Sequence, residues 1–487
     1  SLVSIRGVCM SSEMAYSFSW IEENKPRLIE ISDKVWEFAE LGLVEFKSSA
    51  LLAEELQKHG FKVERGVAGM PTAFIATWGE TKPVIAILGE YDALPGLSQS
   101  RAPWRKLLEP GKPGHGCGHN IHGAIGIAAT IALKMAMEKY GLKGTVKFFG
   151  CPAEENFSGK VFMVRDGYFT NIDAALSHHS GSMNASSLRS CLAVNSVKFH
   201  FYGKASHAGG SPEQGRSALD AVELMNAGVN FLREHVIQDA RIHYTIEKGG
   251  EQPNIVPEYA RSWYYVRAPE RDQLEDIYNW VLDIAKGAVM MTRTELRHEL
   301  IGGLHNIIPN RTMAELIVSN MREIGTPGYS SKERKFAEHI AKSITPEMKI
   351  EELRKSKRPG WENLIEKLID DEVPDPWGEG EVSHGSTDVG DVSWQIPTVE
   401  FTTATWIFGT PGHSWQAVAQ SGVGLGHRSL IFAAKIMAAT AINLLMNEDL
   451  LDKVKKEHRQ RIGSKKYKPP IPAEMKPPLD AWEKSKE

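Results

Sequence analysis

The alternation of helical and strand patterns over the first 180 residues constrains this chain more than any other feature. Apolar residues recur at helical spacing from 17 to 59, and 61–67, 72–78 and 84–88 then read as short strands separated by Gly, Pro and polar breaks. A helix over 121–140, a strand over 145–150, a helix over 160–166 and a strand over 174–177 follow. Strands that take turns with helices build an α/β layer, here a mixed, largely parallel sheet covered by helices. Sites in such layers gather at the carboxyl ends of the strands.

Near Ala193 the pattern changes. Alternating Val197, Phe199 and Phe201 lead into a loop, a helix over 217–235, a strand at His243, strands around Ile255 and over 263–267, a helix over 271–291 and a closing strand over 295–300. That order predicts an α+β sandwich inserted into the larger domain. The chain is then charged and helical as far as Asp371, with no assignable chemistry, and returns to the α/β style over 382–445. It ends in a Lys- and Pro-rich tail expected to lie extended on the surface. The expected division is 11–193 plus 306–463 as one domain, 194–305 as the insert and 464–487 as the tail. A length of 487 residues accommodates it, at about 150 residues per domain.

A chain that is 42% hydrophobic and 24% charged is neither disordered nor fibrous, and a net charge of -4 offers no electrostatic reason for a nucleic acid or an anionic membrane as partner. The most apolar stretches, 121–137 and 430–446, are interrupted by Lys134 and Lys435 and fall short of the roughly 20 clean residues of a membrane span, so they are expected to be buried helices. Cys9, Cys117, Cys151 and Cys191 are sparse and irregularly spaced, which points to a reducing, cytoplasmic setting rather than a disulfide scaffold. Residues 1–10 hold one Arg and a short apolar stretch without a cleavage site, and are not read as a signal peptide.

The strongest chemical cluster is His115-Gly116-Cys117-Gly118-His119-Asn120-Ile121-His122, where a thiol and an imidazole two residues apart can aim at one point. Such a pair suits Zn or another transition metal. At the end of the strand over 145–150 stand Glu154 and Glu155, of which one can bind metal while its neighbour serves as base. His178 and His179 follow the strand over 174–177, and His413 lies in the Gly-rich turn 409–415. Cys117, His119, Glu155, His179 and His413 thus offer five ligands, enough for two divalent ions that share a thiolate or carboxylate. Asp92, just after the strand over 84–88, is the natural carboxylate to fix the tautomer of a ligand histidine. His207, alone in a polar loop of the insert, reads by itself as a surface histidine.

These motifs, in this order, resemble the metal-dependent aminoacylase, hippurate hydrolase and glutamate carboxypeptidase superfamily, and within it the B-type p-aminobenzoyl-glutamate hydrolase group. The resemblance runs from about residue 17 to the tail, through the segments 83–95, 115–120, 150–155, 203–207, 217–222, 266–270, 386–393 and 409–413. It implies a catalytic domain that carries two metal ions and an inserted dimerisation domain. It implies Cys117, His119, Glu155, His179 and His413 as ligands, Glu154 as general base and Asp92 as a supporting carboxylate. His207 would reach the partner subunit's active site and stabilise the oxyanion, while Asn254 and Arg267 would contact substrate, Arg267 through a free carboxylate. Asn120 stands where many relatives carry Asp, which fits the B-type group. Of the pair His178 and His179, the latter is chosen because relatives place the ligand directly before the following loop.

The implied activity is that of a metal-dependent amidohydrolase which cleaves an N-acyl or N-aroyl amino acid, p-aminobenzoyl-glutamate first, by attack of a metal-bound water with Glu154 as base. A dipeptidase for Xaa-basic or β-alanyl dipeptides is the alternative within hydrolases, and a noncatalytic metal-dependent binding protein within a hetero-oligomer the alternative of another class. Cys and His favour Zn, whereas paired sites containing Glu also take Mn, Co or Ni. The expected assembly is a homodimer or a pair with a paralogous chain.

Overall fold

The computed structural model describes residues 10–484, so Cys9 and nearly all of the opening segment 1–10 lie outside the described residues. The helical start resolves into three helices, Ser12–Glu23, Lys25–Phe38 and Phe46–Lys58. Strands β1 (Lys62–Arg65), β2 (Phe74–Trp78), β3 (Val84–Glu90), β4 (Thr145–Cys151) and β5 (Ala174–Gly181) follow, and the six-stranded sheet closes with β12 (Thr398–Ala404) in the order β1-β2-β4-β3-β5-β12. β4, β3, β5 and β12 are parallel, while β2 runs antiparallel to both β1 and β4. The fold is therefore mixed α/β with a largely parallel sheet. Every residue of β3 is buried, as befits a central strand with helices on both faces.

The helices His119–Tyr140 and Gly424–Met446 are long and apolar enough to cross a membrane, but 94% and 78% of their most apolar windows are buried inside the protein, where both contribute to the main core. The first approaches the sheet closely because it presents glycine there: a Cβ on Gly126 would lie 2.5 Å from the Phe148 ring. It ends at Gly141, whose left-handed φ of 66° lets its N–H bond Met137 O.

Among the described residues β6 (Ser190–Cys191) pairs only with β11 (Val382–Ser383). β7 (Ala193–Tyr202), β8 (Arg241–Lys248), β9 (Tyr259–Ala268) and β10 (Glu295–Leu304) form a separate antiparallel sheet in the order β10-β7-β9-β8. Strict alternation of burial along β9 gives it one covered face, packed by the helices Ala218–Leu232 and Arg271–Thr292 around their own apolar cluster.

Two sequence expectations fail, and a third holds only in part. No strand forms around Ile255, which makes an isolated bridge to His207 through the Val256 N–H on Ser206 O and the Ala208 N–H on Asn254 O, in a short stretch bounded by Pro253 and Pro257 with their fixed φ. β5 runs on to Gly181 because β12 pairs beside it up to Gly181↔Ala404, so His178 and His179 sit within the strand rather than after it. The tail is not simply draped on the surface. Ile471 is buried, Tyr467 Oη donates to Asp391 at 2.9 Å, and the Arg165 guanidinium donates to the carbonyls of Pro472 and Met475.

Candidate active site

β3 lies between β4 and β5, and the crevice beyond the carboxyl ends of these strands is where the sheet order changes direction. Asp92 leaves the end of β3. Gly118, at a φ of 72°, turns the chain so that His119 opens its helix directly beneath. After β4, Ala153 is held at a left-handed φ of 58°, its N–H bonded to Glu45 Oε1 at 2.8 Å, and this turn presents Glu154 and Glu155. His413 also occupies the left-handed region, at φ 54°, with its N–H on Gly116 O at 3.1 Å. Such non-glycine strain persists where surrounding structure over-determines it.

The five candidate ligands come together in two overlapping groups, Cys117–His119–His179 and Cys117–Glu155–His413, with the ligand atoms of each within 4.8 Å of one another. Cys117 belongs to both. His413 Nε2 lies 3.2 Å from Cys117 Sγ and 3.4 Å from Glu155 Oε2. Asp92 ties two members: its Oδ1 accepts from His119 Nδ1 at 2.8 Å and its Oδ2 from the Glu155 N–H at 3.0 Å. His119 Nε2 then faces Glu155 Oε1 at 3.7 Å and Glu154 Oε2 at 3.9 Å. Strand alternation sends His179 toward Cys117 and His119, whereas His178 turns away to bond Thr403 Oγ1 at 2.8 Å and pack edge-on against Phe401. His179 Nδ1 bonds Ser180 O, which leaves its Nε2 for the cluster.

This donor set fits a divalent metal. His119 Nε2 and Glu155 Oε1 are buried without a hydrogen-bond partner although both point into the cluster. A thiolate, imidazole and carboxylate set is that of Zn and related ions. The surroundings are acidic. Burial disfavours the His119 imidazolium, but Asp92 and Glu90 outweigh it and raise the pKa well above the histidine range. Burial also opposes ionisation of Cys117, yet His119, His179 and His413 together hold the thiol well below its ordinary value. Burial, helped by Cys117 and Asp92 against His119 and His413, lifts the Glu155 carboxyl to about 8. Burial and the neighbouring Glu90, Asp388 and Glu155 raise Glu154 well above the carboxylate range.

Sequence reasoning missed a charged layer beneath the cluster. Lys160, fully buried, donates to Glu90 Oε1 at 2.5 Å and Asp388 Oδ1 at 2.7 Å, while Glu90 Oε2 accepts from His122 Nδ1 at 3.0 Å and lies 3.2 Å from His119 Nε2. The available signal was a lysine at the head of the apolar run 161–164, a setting in which an ammonium needs buried carboxylates. The remaining three expected residues lie elsewhere. His207 is exposed in the loop after β7, its Nδ1 accepting from the Gly209 and Gly210 N–H groups, and the Asn254 carbonyl accepts from the Ala208 N–H of the same loop. Arg267 is on β9, its guanidinium 5.5 Å from the Tyr265 ring centroid. Among the described residues these three stand outside every grouping of the candidate metal ligands.

The profile of Peptidase family M20/M25/M40 matches residues 86–443. The chain is 41% identical over 466 residues to the B-type subunit of p-aminobenzoyl-glutamate hydrolase from Escherichia coli (strain K12), a match that covers 94% of this chain and 97% of that protein. It is 28% identical over 457 residues to the Xaa-Arg dipeptidase of Mus musculus, covering 91% of each. Its fold is similar to that of a Bacillus subtilis dinuclear metal-binding peptidase of the M20 family, with a TM-score of 0.57 and 18% identity over 87% of this chain and 99% of the other. The chain belongs to the M20/M25/M40 peptidase family and is a metal-dependent amide hydrolase.

Proposed function

We propose that the chain cleaves the amide bond between an acyl or aroyl group and an amino acid, with a p-aminobenzoyl-glutamate-type substrate first. The observation that carries this substrate is the 41% identity, over nearly the full length, to an enzyme named for it. Because the ligand candidates form two groups that share Cys117, we assign two divalent ions, Zn or Mn before Co or Ni, held by Cys117, His119, Glu155, His179 and His413. When bound, such ions polarise a carbonyl and acidify a water.

Glu154 is the base in this reading. Its carboxylate reaches to 3.9 Å from His119 Nε2 and makes no hydrogen bond among the described residues, so it is available to take a proton from the attacking water and return it to the leaving nitrogen. A raised pKa suits a group that must hold that proton between the two steps. Asp92 sets the His119 tautomer. His207, Asn254 and Arg267 belong to residues 194–305, which we assign as a dimerisation and lid unit. His207 would donate to the oxyanion from a partner chain, either a second copy or a paralogue, and Arg267 would receive the substrate's free carboxylate. The exposure of His207 outside the cluster supports that placement.

Glu154→Gln should keep both metal equivalents by plasma emission and lose about 100-fold or more in turnover of p-aminobenzoyl-glutamate. Loss of metal instead would exchange the roles of Glu154 and Glu155. The likeness to an Xaa-Arg dipeptidase, over 91% of each chain, supports a second reading, and cleavage of dipeptides ending in Arg or Lys in preference to aroyl-glutamates would install it.

A further inference from the structure

The charged segment after Ile324 carries none of the candidate ligands, yet it packs against two of the elements that do. Its helices Ser331–Ala341 and Pro346–Ser356 bury Ile340 beside Ile407 and Ala419, and Leu353 beside Met183 and Phe408. From the second helix Glu352 reaches between two chain segments. One carboxylate oxygen accepts from the Ser182 hydroxyl and the other from the Gly409 N–H at 2.5 Å. Ser182 directly follows β5, which carries His179, and Gly409 opens the turn that ends at His413. The contact with that turn is intimate. Gly409 has a φ of 84°, and a Cβ there would lie 2.6 Å from Ile344 Cγ2 and 3.0 Å from the Lys349 backbone.

A second tie runs in parallel. The Asn184 N–H donates to Asp370 Oδ2 at 2.9 Å, the same carboxylate is paired at 2.5 Å with the buried Arg358, and Asn184 Oδ1 accepts from the Ala404 N–H at the end of β12. The Phe408 N–H bonds Leu368 O at 3.1 Å. The segment thus grips both the strand end behind His179 and the chain leading to His413, and Glu352 is the side chain whose carboxylate touches both at once.

We propose that Glu352 is a positioning residue whose carboxylate, bridging Ser182 to Gly409, sets the spacing between the strand that carries His179 and the turn that carries His413. It acts through those two imidazoles, one from each ligand group, and so rests on their assignment as metal ligands. His413 depends on such a brace because its side chain is 56% exposed and its backbone is strained. Without the carboxylate, Ser182 and the Gly409 N–H lose their shared acceptor, and the turn is free to drift relative to β5.

The test uses full-length protein reconstituted with Co(II), read by metal equivalents, by competition with a chelator and by the visible spectrum of the cobalt–thiolate centre. Glu352→Ala should weaken one equivalent by about 10–100-fold, as removal of an outer support does, and alter the spectrum while the other equivalent stays within about threefold. Glu352→Gln should restore both, because its amide keeps an oxygen for Gly409 and a nitrogen to donate to Ser182 Oγ. If Glu352→Ala fails to fold, Ser182→Ala removes one arm of the bridge and leaves the Gly409 N–H its carboxylate acceptor, and should reproduce the spectral change in weaker form. Parental affinity and spectrum in Glu352→Ala, or in Ser182→Ala where that variant stands in, would overturn the proposal, as would a Gln variant as defective as Ala at equal thermal stability. Failure of the parent protein to bind cobalt would instead overturn the ligand assignment itself.

Discussion

Replacement of Lys160 by Met keeps the length and apolar stem of the side chain and removes only the ammonium. In the native protein that ammonium is fully buried and satisfies Glu90 Oε1 and Asp388 Oδ1, whose oxygens lie within 4.8 Å of each other and of Glu154. Two carboxylate charges no farther apart than 4.8 Å repel by at least about 3.5 kcal/mol at an effective dielectric of about 20. Loss of one partner from a buried ion pair costs about 3–5 kcal/mol in general. The two figures agree, so Lys160→Met should lose about 3–5 kcal/mol at pH 7 in chelator-treated protein, read from urea unfolding by tryptophan fluorescence. The sign with pH follows. Without Lys160 one carboxylate of the pair has a folded pKa above its unfolded value, so the folded state takes up a proton first and the deficit shrinks as pH falls from 7 toward 5. A loss below about 1 kcal/mol at pH 7, or a deficit that grows on acidification, would refute the argument.

Other outcomes follow from individual contacts. Asp92→Asn cannot accept at both Oδ positions from His119 Nδ1 and the Glu155 N–H, and should weaken metal affinity by about 10–100-fold in a chelator competition; unchanged affinity would show that Asp92 does not orient the ligands. His305, packed against Trp394 and Tyr467 and bonded to Lys468 O, has its pKa lowered by burial from 6.5 to about 4. Its contribution is therefore complete above pH 6.5 and is lost as pH falls toward 4, so the stability of the parent relative to His305→Gln should decline over that window, and a constant difference would contradict it.

Much of the layer was legible in local pattern. The apolar run of β3 and the helical run that became His119–Tyr140 announce a buried strand and a buried helix because burial on every side leaves no polar face to write. The ligand types were legible for the same local reason: Cys117 and His119 two residues apart, and paired carboxylates after a strand, need only a turn to converge. Around Ile255 local pattern misled: its apolar side chain has β character, and Val256 N–H and Asn254 O do pair across to Ser206 O and Ala208 N–H, but the pairing stops at that single bridge.

The amino-acid sequence by itself determined the elements, the sheet class and the chemical kinds of side chain that gather at the strand ends, because these depend on periodicity and on residues close together in the chain. Local pattern left His178 and His179 equivalent, with only family resemblance favouring His179; pairing with β12 extends β5 and fixes the alternation of faces that turns His179 toward the cluster. Tertiary structure alone placed Lys160 between Glu90 and Asp388, which are 70 and 228 positions away along the chain, and Glu352 between Ser182 and Gly409. A buried charge is tolerable only where distant segments bring its partners to it, and that meeting is a property of packing that no local pattern records.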